Sequence, residues 1–246
     1  LPVMKFSIEK SDGVTAVSRF LKEKTITNYG VEKDIEVIHN FIDTNIYKRM
    51  PASEVRKICP DANEKILVHT SNFRPVKRVP DVIKIFDEVH KRVPSRLLLI
   101  GDGPDRSQCE HLARDLGIGE YVKFLGKQTE MVNILSGADL FLLPSQSESF
   151  GLAALEAMAC EVPVISSSVG GLPELVSHGE TGFIAELGDV DRMSKYAVEL
   201  LTSPAKHQEF AKAARKRAMM FEASKVIEQY EQYYEKVLRG SEVRAG

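Results

Sequence analysis

Residues 140–160 read LFLLPSQSESFGLAALEAMAC, and this stretch carries the pattern on which the fold prediction depends. The apolar run 140–143 predicts a strand buried on both faces. The polar segment 145–149 predicts a turn, and the apolar run 150–160 predicts a helix. A strand, a turn and a helix in this order direct free backbone N–H groups and the positive end of the helix toward an anion. The stretch therefore predicts a phosphate site at the end of a buried strand.

Two carboxylates accompany this predicted phosphate site. Glu148 lies in the turn, and Glu156 lies about two turns into the helix. They are too far apart to form a close general-acid pair, so we expect them to accept hydrogen bonds from hydroxyls at two parts of one ligand. The alternative for Glu156 is a buried carboxylate with satisfied hydrogen bonds and no role in binding. Phosphate and hydroxyl groups together indicate a ligand such as a nucleotide sugar.

The alternation of strand and helix extends along most of the chain. Strands are predicted over 14–18, 35–38, 66–70, 96–100, 122–125, 140–143, 162–165 and 182–184, and helices over 19–29, 79–93, 105–116, 129–137, 150–160, 173–178 and much of 189–238. Strands that are apolar throughout, separated by amphipathic helices, predict a Rossmann-like α/β fold with a doubly wound parallel sheet. Ligands of such sheets bind beyond the carboxyl ends of the strands.

A basic segment follows the strand predicted over 66–70. Residues 71–78, SNFRPVKR, place Arg74, Lys77 and Arg78 at a strand end. Cations in this position suit a diphosphate. The alternative is that these cations only begin a solvated helix. This interpretation is less favoured, because cations at a helix N-terminus oppose the helix dipole.

Two glycine-containing segments also fall at strand ends. Residues 101–104, GDGP, resemble the opening of a dinucleotide-binding fingerprint, but Arg106 occupies the position of its third glycine. We therefore expect a tight turn beside the ligand and no NAD site. Residues 169–174, VGGLPE, permit the backbone to approach a ligand closely, with a turn leading into a helix as an equal alternative.

The composition excludes several classes of function. A net charge of −2 over 246 residues argues against a nucleic-acid partner, and the apolar runs are too short for membrane insertion. The three cysteines are scattered, which favours a reducing, cytoplasmic location. Neither they nor the histidines have the spacing of metal ligands, so no metal site is predicted. The start at Leu1 without an initiator Met indicates a fragment of a longer protein.

Taken together, these segments resemble the retaining GT-B glycosyltransferases of family GT4 over nearly the whole chain. Glu148 and Glu156 match the E-x7-E motif of the family, and residues 169–174 match its downstream glycine loop. Residues 40–43, NFID, are similar to the interdomain Asn-Gly-Val-Asp signature, with Phe41 in place of the glycine. The combination is specific, whereas each motif alone would be weak.

The resemblance implies a division of the chain into three parts. Residues 1–44 would be the end of an N-terminal, acceptor-side domain together with a linker. Residues 45–225 would be the C-terminal domain that binds the nucleotide sugar. Residues 226–246 would form a helix that crosses back toward the N-terminal domain. Such a fragment is expected to bind UDP weakly and to be inactive without its N-terminal domain.

The resemblance also implies roles for single residues. Lys77 and Arg74 would neutralise the departing UDP diphosphate, and Glu148 would bind sugar hydroxyls as the third residue at the reacting centre. Asn72 stands where the family has an arginine, so Arg74 is assigned to the diphosphate with Asn72 as the alternative. The substrate-binding residues implied are Asn72, Gly126, Lys127, Gln128, Ser149, Phe150, Gly151, Leu152 and Glu156. Glu156 would bind the ribose, the loop 126–128 would border the uracil, and no metal or cofactor would be required.

Within the family, segments 71–78 and 148–152 are most similar to enzymes of bacillithiol synthesis. The implied reaction transfers N-acetylglucosamine from UDP-GlcNAc to a small acceptor, L-malate. The alternatives are a GT4 enzyme with another donor or acceptor, a GT-B epimerase acting on UDP-GlcNAc, and a nucleotide-binding regulatory domain without catalysis. The oligomeric state stays open, and a homo-oligomer is compatible with the sequence.

Overall fold

The computed structural model describes residues 2–50, 55–59, 61 and 63–245. Its strands are β1 (Thr15–Ala16), β2 (Glu36–Val37), β3 (Lys65–Thr70), β4 (Ser95–Ile100), β5 (Val122–Gly126), β6 (Leu140–Leu143), β7 (Val164–Ser167) and β8 (Gly182–Ala185). Its α-helices are α1 (Pro2–Lys10), α2 (Arg19–Tyr29), α3 (Val55–Ile58), α4 (Val79–His90), α5 (Arg106–Asp115), α6 (Met131–Leu135), α7 (Leu152–Ala159), α8 (Leu172–Leu175), α9 (Val190–Thr202), α10 (Pro204–Ala218) and α11 (Ala223–Ala245).

Six parallel strands form one sheet in the order β5-β4-β3-β6-β7-β8. Successive side chains of a strand point to opposite faces, and here both faces are covered. Val68 and Phe141 pack into a core with α7 and α10, whereas Leu67 and Leu140 pack into a second core with α4 and α9. The structure thus confirms the predicted Rossmann-like, doubly wound parallel sheet.

The strand order reverses direction between β3 and β6. From β3 the chain builds outward through β4 to β5, then returns to place β6 on the other side of β3. At such a switch point the two connecting loops diverge and leave a crevice beyond the carboxyl ends of the strands. The basic segment 71–78 follows β3 and the segment with Glu148 follows β6, so both motifs line this crevice.

The first part of the chain forms a β1-α2-β2 unit with its own small parallel sheet. The Ser18 hydroxyl accepts a hydrogen bond from the Leu21 N–H at 3.1 Å, and Gly30 ends α2 with a φ of 62°. Both helix boundaries were predicted from these residues. Tyr233 of α11 reaches this unit, since its hydroxyl accepts from the Val14 N–H at 2.7 Å.

Several predicted boundaries were wrong. The helix predicted over 150–160 begins at Leu152, because Gly151 has a φ of 104° and cannot belong to a right-handed helix. The helix predicted over 129–137 is reduced to α6, and the one predicted over 79–93 ends at His90. Helix α1 was not predicted at all, and the helical tail is interrupted between α9 and α10.

Candidate functional site

The candidate site lies in the crevice between the loops that follow β3 and β6. The Gln146 N–H donates to the Val76 carbonyl at 2.7 Å and joins the two loops. The same two loops carry Lys77 and Glu148, which are far apart in sequence. The Lys77 ammonium donates to Glu148 Oε1 at 2.6 Å. The structure thus places Lys77 and Glu148 side by side.

The Lys77–Glu148 ion pair is largely removed from solvent. The side chains of Lys77 and Glu148 are 22% and 13% exposed, and the Ser145 hydroxyl donates to the same Glu148 oxygen at 2.9 Å. Glu148 Oε2 forms no hydrogen bond within the described part of the chain. An ammonium group has three N–H donors, so Lys77 retains donors for a ligand anion and Glu148 retains an acceptor for a hydroxyl.

The N-terminus of α7 opens into the same crevice. The backbone N–H groups of Phe150, Gly151 and Leu152 have no acceptor among the residues that the structure describes. Phe150, which was expected inside the helix, precedes it and packs its ring against His39 and Phe221 at centroid distances of 5.6 and 5.3 Å. Free N–H groups and the positive helix end create a local preference for negative charge.

The glycine loop 169–174 packs against the backbone of the turn that precedes α7. The Gly171 N–H donates to the Glu148 carbonyl at 3.0 Å. A Cβ at Gly170 would overlap that carbonyl, and a Cβ at Gly171 would overlap the Ser149 carbonyl. These glycines therefore pack closely against the loop after β6, and their predicted close approach to a ligand stays a prediction.

Glu156 lies on α7 about one turn after the helix start at Leu152, because the helix begins later than the sequence predicted. Its side chain accepts a hydrogen bond from the Tyr47 hydroxyl at 3.3 Å, and burial raises its pKa above the ordinary range of a glutamate. Burial and one hydrogen bond fit both interpretations given above, a ligand contact and a satisfied structural carboxylate. Sequence reasoning missed Tyr47, since no local pattern links it to Glu156.

The remaining cations of segment 71–78 differ in their surroundings. Arg74 is exposed, and its side chain has no hydrogen bond or ion pair within the described residues. Asn72 is exposed as well, on the same loop. Arg78 was grouped with the diphosphate cations, but its guanidinium donates to Asp81 at 2.6 Å at the start of α4. Arg74 is thus better placed than Arg78 to reach a ligand.

The glycines of segment 101–104 pack against the loop that carries Asn72. A Cβ at Gly101 would overlap the Ser71 carbonyl, and a Cβ at Gly103 would overlap the Asn72 carbonyl. The Gly126 carbonyl accepts from the Gly101 N–H at 2.8 Å and brings the third loop alongside. The loops after β3, β4 and β5 therefore lie next to one another at this edge of the sheet.

Two further predicted residues follow Gly126. Lys127 and Gln128 are exposed. The Gln128 side-chain amide folds back and donates to the Leu125 carbonyl at 2.7 Å. A ligand that used this amide would have to compete with that bond.

Buried His69 fixes the base of the loop after β3. Its Nδ1 lies 2.8 Å from the Leu142 carbonyl and its Nε2 lies 2.9 Å from the Ser71 hydroxyl. A carbonyl only accepts, so Nδ1 carries the proton and Ser71 donates to Nε2. Burial lowers the pKa of His69 to about 4, which keeps the ring neutral near pH 7. Ser71 in turn accepts from the Phe73 N–H at 3.2 Å and shapes the segment that leads to Lys77.

The β1-α2-β2 unit contacts the loop after β6 through Ser18 and contacts α8 through Glu174, and the sequence revealed neither contact. The Ser18 hydroxyl donates to the Ser149 carbonyl at 2.6 Å. The Glu174 carboxylate accepts from the N–H groups of Arg19 and Phe20 at 3.0 and 2.9 Å. Burial acts to raise the pKa of Glu174, but these N–H donors and His39 together bring it below its ordinary value. Ser18 was predicted only as a helix cap.

Comparison with known proteins identifies families for two ranges of the chain. Residues 51–217 match the family described as Glycosyl transferases group 1. Residues 1–46 match Glycosyltransferase Family 4. In the described part of the chain, no helix is both long and apolar enough to cross a membrane.

Individual relatives extend this comparison. The chain is 42% identical over 239 residues to N-acetyl-alpha-D-glucosaminyl L-malate synthase of Bacillus anthracis, covering 96% of this chain and 63% of that protein. Sucrose-phosphate synthase of Thermosynechococcus elongatus superposes with a TM-score of 0.87 at 25% identity, over 97% of this chain and 61% of the other. Anabaena HepE in complex with UDP-glucose gives a TM-score of 0.86 at 25% identity, over 93% and 65%. The chain thus spans less than two thirds of these relatives.

Proposed function

Since the chain belongs to the group 1 glycosyl transferase family, we propose that it is the donor-binding part of a retaining GT-B glycosyltransferase. The proposed reaction moves N-acetylglucosamine from UDP-GlcNAc to a small acceptor, L-malate, as the first step of bacillithiol synthesis. The 42% identity to N-acetyl-alpha-D-glucosaminyl L-malate synthase of Bacillus anthracis supports this sugar and this acceptor. The HepE structure with UDP-glucose supports a uridine nucleotide as the donor.

One observation carries the proposal most directly. Lys77 and the free N–H groups at the start of α7 face one crevice, and Glu148 and Glu156 lie along the same turn and helix. A diphosphate needs the positive groups, whereas sugar and ribose hydroxyls need the carboxylates. A nucleotide sugar combines all of these groups in one molecule.

The chemistry proposed for the positive groups is stabilisation of the leaving group. Negative charge grows on the diphosphate as the sugar departs, and preorganised cations and N–H donors lower the energy of that state. Lys77 supplies one cation, and Arg74 is proposed as the second because its side chain is exposed on the same loop. We propose that the acceptor attacks from the face on which UDP departs, with the diphosphate assisting its deprotonation.

The carboxylates and peptide groups are proposed to orient the donor. Glu148, already bonded to Lys77, would accept from sugar hydroxyls through its second oxygen. The N–H groups of Phe150, Gly151 and Leu152 would hold the phosphates and the sugar, and Glu156 would accept from the ribose. The loop 126–128 is proposed to border the uracil, with Gln128 released from the Leu125 carbonyl. These roles need no metal ion or organic cofactor.

The proposal assigns acceptor binding to a part of the protein other than the crevice after β3 and β6. Residues 1–44 would belong to that acceptor side, 45–225 to the donor side, and 226–246 to the helix that returns to the acceptor side. The contact of Tyr233 with Val14 supports this return. We place the reaction in the cytoplasm, because an odd number of cysteines at scattered positions does not suit a disulfide framework.

Calorimetry on the 246-residue chain tests the donor assignment. We expect UDP and UDP-GlcNAc to bind, ADP-glucose to bind more weakly, and NAD not to bind. Glu156→Ala should weaken UDP binding roughly 10- to 150-fold, which corresponds to the loss of a hydrogen bond to a charged group. The matched control is Glu199→Ala, which removes an exposed carboxylate on α9. Equal binding of NAD and UDP would contradict the proposal.

A second experiment tests the reaction itself. The full-length protein is incubated with UDP-GlcNAc and a panel of small acceptors, and UDP release and product mass are measured. The proposal predicts a product with the mass of N-acetylglucosaminyl malate and no turnover by the 246-residue chain alone. Conversion of UDP-GlcNAc to its epimer without an acceptor would instead establish the epimerase alternative.

A further inference from the structure

Tyr47 follows the interdomain signature 40–43, and its side chain reaches across to α7. The phenol oxygen lies 3.3 Å from Glu156 Oε1 although the two residues are 109 positions apart. Within the described residues this is the one side-chain hydrogen bond that Glu156 makes, and Oε2 has none. One carboxylate oxygen of Glu156 is therefore hydrogen-bonded to Tyr47, and the other can accept a hydrogen bond from a ligand.

The backbone around Tyr47 is fixed by a partly buried cation. The guanidinium of Arg215, on α10, donates to the carbonyls of Thr44, Tyr47 and Ala159 at 2.9, 2.6 and 2.7 Å. Thr44 and Tyr47 lie in residues 44–47, which continue the predicted linker into the donor-side domain, and Ala159 is the last residue of α7. These three hydrogen bonds from one planar guanidinium hold residues 44–47 against the end of α7. Tyr47 thus has a fixed position relative to Glu156.

The electrostatics define which partner donates. Burial raises the pKa of Tyr47 to about 12, and the neighbouring Glu156 adds to this rise. The phenol therefore keeps its proton near pH 7 and donates to the carboxylate. Burial raises the pKa of Glu156, and the bond from Tyr47 acts against that rise. Tyr47 thus favours the ionised acid, the form that accepts best.

We propose that Tyr47 is a positioning residue for the donor: it holds Glu156 Oε1 toward the linker and leaves Oε2 to accept from the ribose hydroxyls. This inference rests on the proposed function, because it takes the ribose contact of Glu156 as its starting point. It also gives the linker a role in binding, since any movement that separates Tyr47 from α7 releases the ribose-binding carboxylate. Donor binding and linker conformation are thereby coupled.

The test compares two nucleotides on four proteins by calorimetry. UDP carries both ribose hydroxyls and 2′,3′-dideoxy-UDP carries neither, so the ratio of their affinities isolates the ribose contact. The proteins are the wild-type 246-residue chain, Tyr47→Phe, Glu156→Ala and the control Tyr234→Phe, which changes an exposed tyrosine of α11. Thermal unfolding of each variant verifies that it is folded.

The expected pattern separates positioning from general damage. The wild-type chain and Tyr234→Phe should prefer UDP, and Glu156→Ala should lose that preference. Tyr47→Phe should reduce the preference roughly 2- to 10-fold, the effect of one hydrogen bond, and should leave the affinity for 2′,3′-dideoxy-UDP unchanged. A stability effect would instead lower the affinity for both nucleotides.

A pH series adds a second readout. As pH falls, protonation of Glu156 should abolish the preference for UDP, and this should occur at higher pH in Tyr47→Phe because the acid has lost a stabilising donor. Among the other titratable groups, Cys160 lies near Glu156, and Arg49 and Arg215 lie near Cys160. Burial raises the pKa of Cys160 to about 12. Glu156 is therefore the protein group expected to titrate there.

The outcomes distinguish a failure of the role proposed for Tyr47 from a failure of the proposed function. An unchanged preference in Tyr47→Phe, or an equal loss for both nucleotides, would overturn the role of Tyr47 and leave the donor assignment intact. A wild-type chain that binds both nucleotides equally, or neither, would overturn the proposed function of the site itself.

Discussion

Replacing Lys77 by alanine removes the cation closest to the proposed diphosphate. A hydrogen bond between charged groups contributes about 1.5–3 kcal/mol, so UDP affinity should fall roughly 10- to 150-fold. Lys77 also neutralises Glu148 across 2.6 Å, and the Glu148 side chain is only 13% exposed. In Lys77→Ala that carboxylate faces the diphosphate without its partner, which moves the expected loss toward the upper end of the range.

Calorimetry of UDP and uridine on the same chain measures this effect. Uridine has no phosphate, so Lys77→Ala should leave its affinity unchanged while UDP binds more weakly. The matched control is Lys195→Ala, which removes an exposed lysine on α9. The double variant Lys77→Ala/Glu148→Gln should recover part of the UDP affinity, because it removes the unpaired negative charge.

Two results would refute this reasoning. If Lys77→Ala lowered the affinity for uridine and UDP by the same factor, Lys77 would act on the fold of the site and not on the phosphates. If UDP affinity did not change at all, the diphosphate would not lie beside Lys77.

Three further predictions concern the scaffold of the site. Gly170→Ala should destabilise the fold by about 1–3 kcal/mol in chemical denaturation, because Gly170 has a φ of 61° and an added Cβ would overlap the Glu148 carbonyl. The matched control is Gly117→Ala, since Gly117 also has a positive φ but has open space around it. Ser18→Ala should lower the free energy of unfolding by about 0.5–2 kcal/mol, because α2 loses its N-terminal cap. It should also weaken UDP binding, because Ser18 donates to the Ser149 carbonyl in the loop after β6. The pKa of His69 is lowered from 6.5 to about 4 by burial, so the unfolded chain takes up a proton before the folded chain does. The free energy of unfolding should therefore fall as pH drops from 6.5 to about 4, by up to about 1.4 kcal/mol per pH unit. In His69→Gln, chemical denaturation at the same pH values should show a smaller fall.

The sheet was predictable because its strands are continuous apolar runs. Each run between 66 and 143 is too short for a buried helix and is followed by a turn segment, so the alternation of elements pointed to one topology. The caps of α2 followed from Ser18 and Gly30 in the same way, since both residue types act locally. Local chemistry of this kind is present in the sequence itself.

The start of α7 shows where local reasoning failed. Phe150 has the apolar character of the helix that follows, yet it lies outside the helix because Gly151 adopts a left-handed conformation. A Cβ at Gly151 would also lie 2.6 Å from the Leu172 side chain at the start of α8. The packing of this distant helix against Gly151 is not visible in the local sequence around Phe150.

The supporting contacts of the site depend on long-range packing. Ser18 and Ser149 are separated by 131 positions, and Tyr47 and Glu156 by 109. Neither pair has a spacing or pattern in sequence, because only the folded arrangement of linker and helices brings the members together. The motifs predict which residues belong to the site, and the fold shows which contacts hold those residues in place.

A crystal structure of the 246-residue chain with UDP would test the central claim most directly. We expect diphosphate oxygens within hydrogen-bond distance of the Lys77 ammonium and of the N–H groups of Gly151 and Leu152, with the ribose hydroxyls on Glu156. A UDP molecule bound elsewhere, or one whose phosphates turn away from the start of α7, would contradict it.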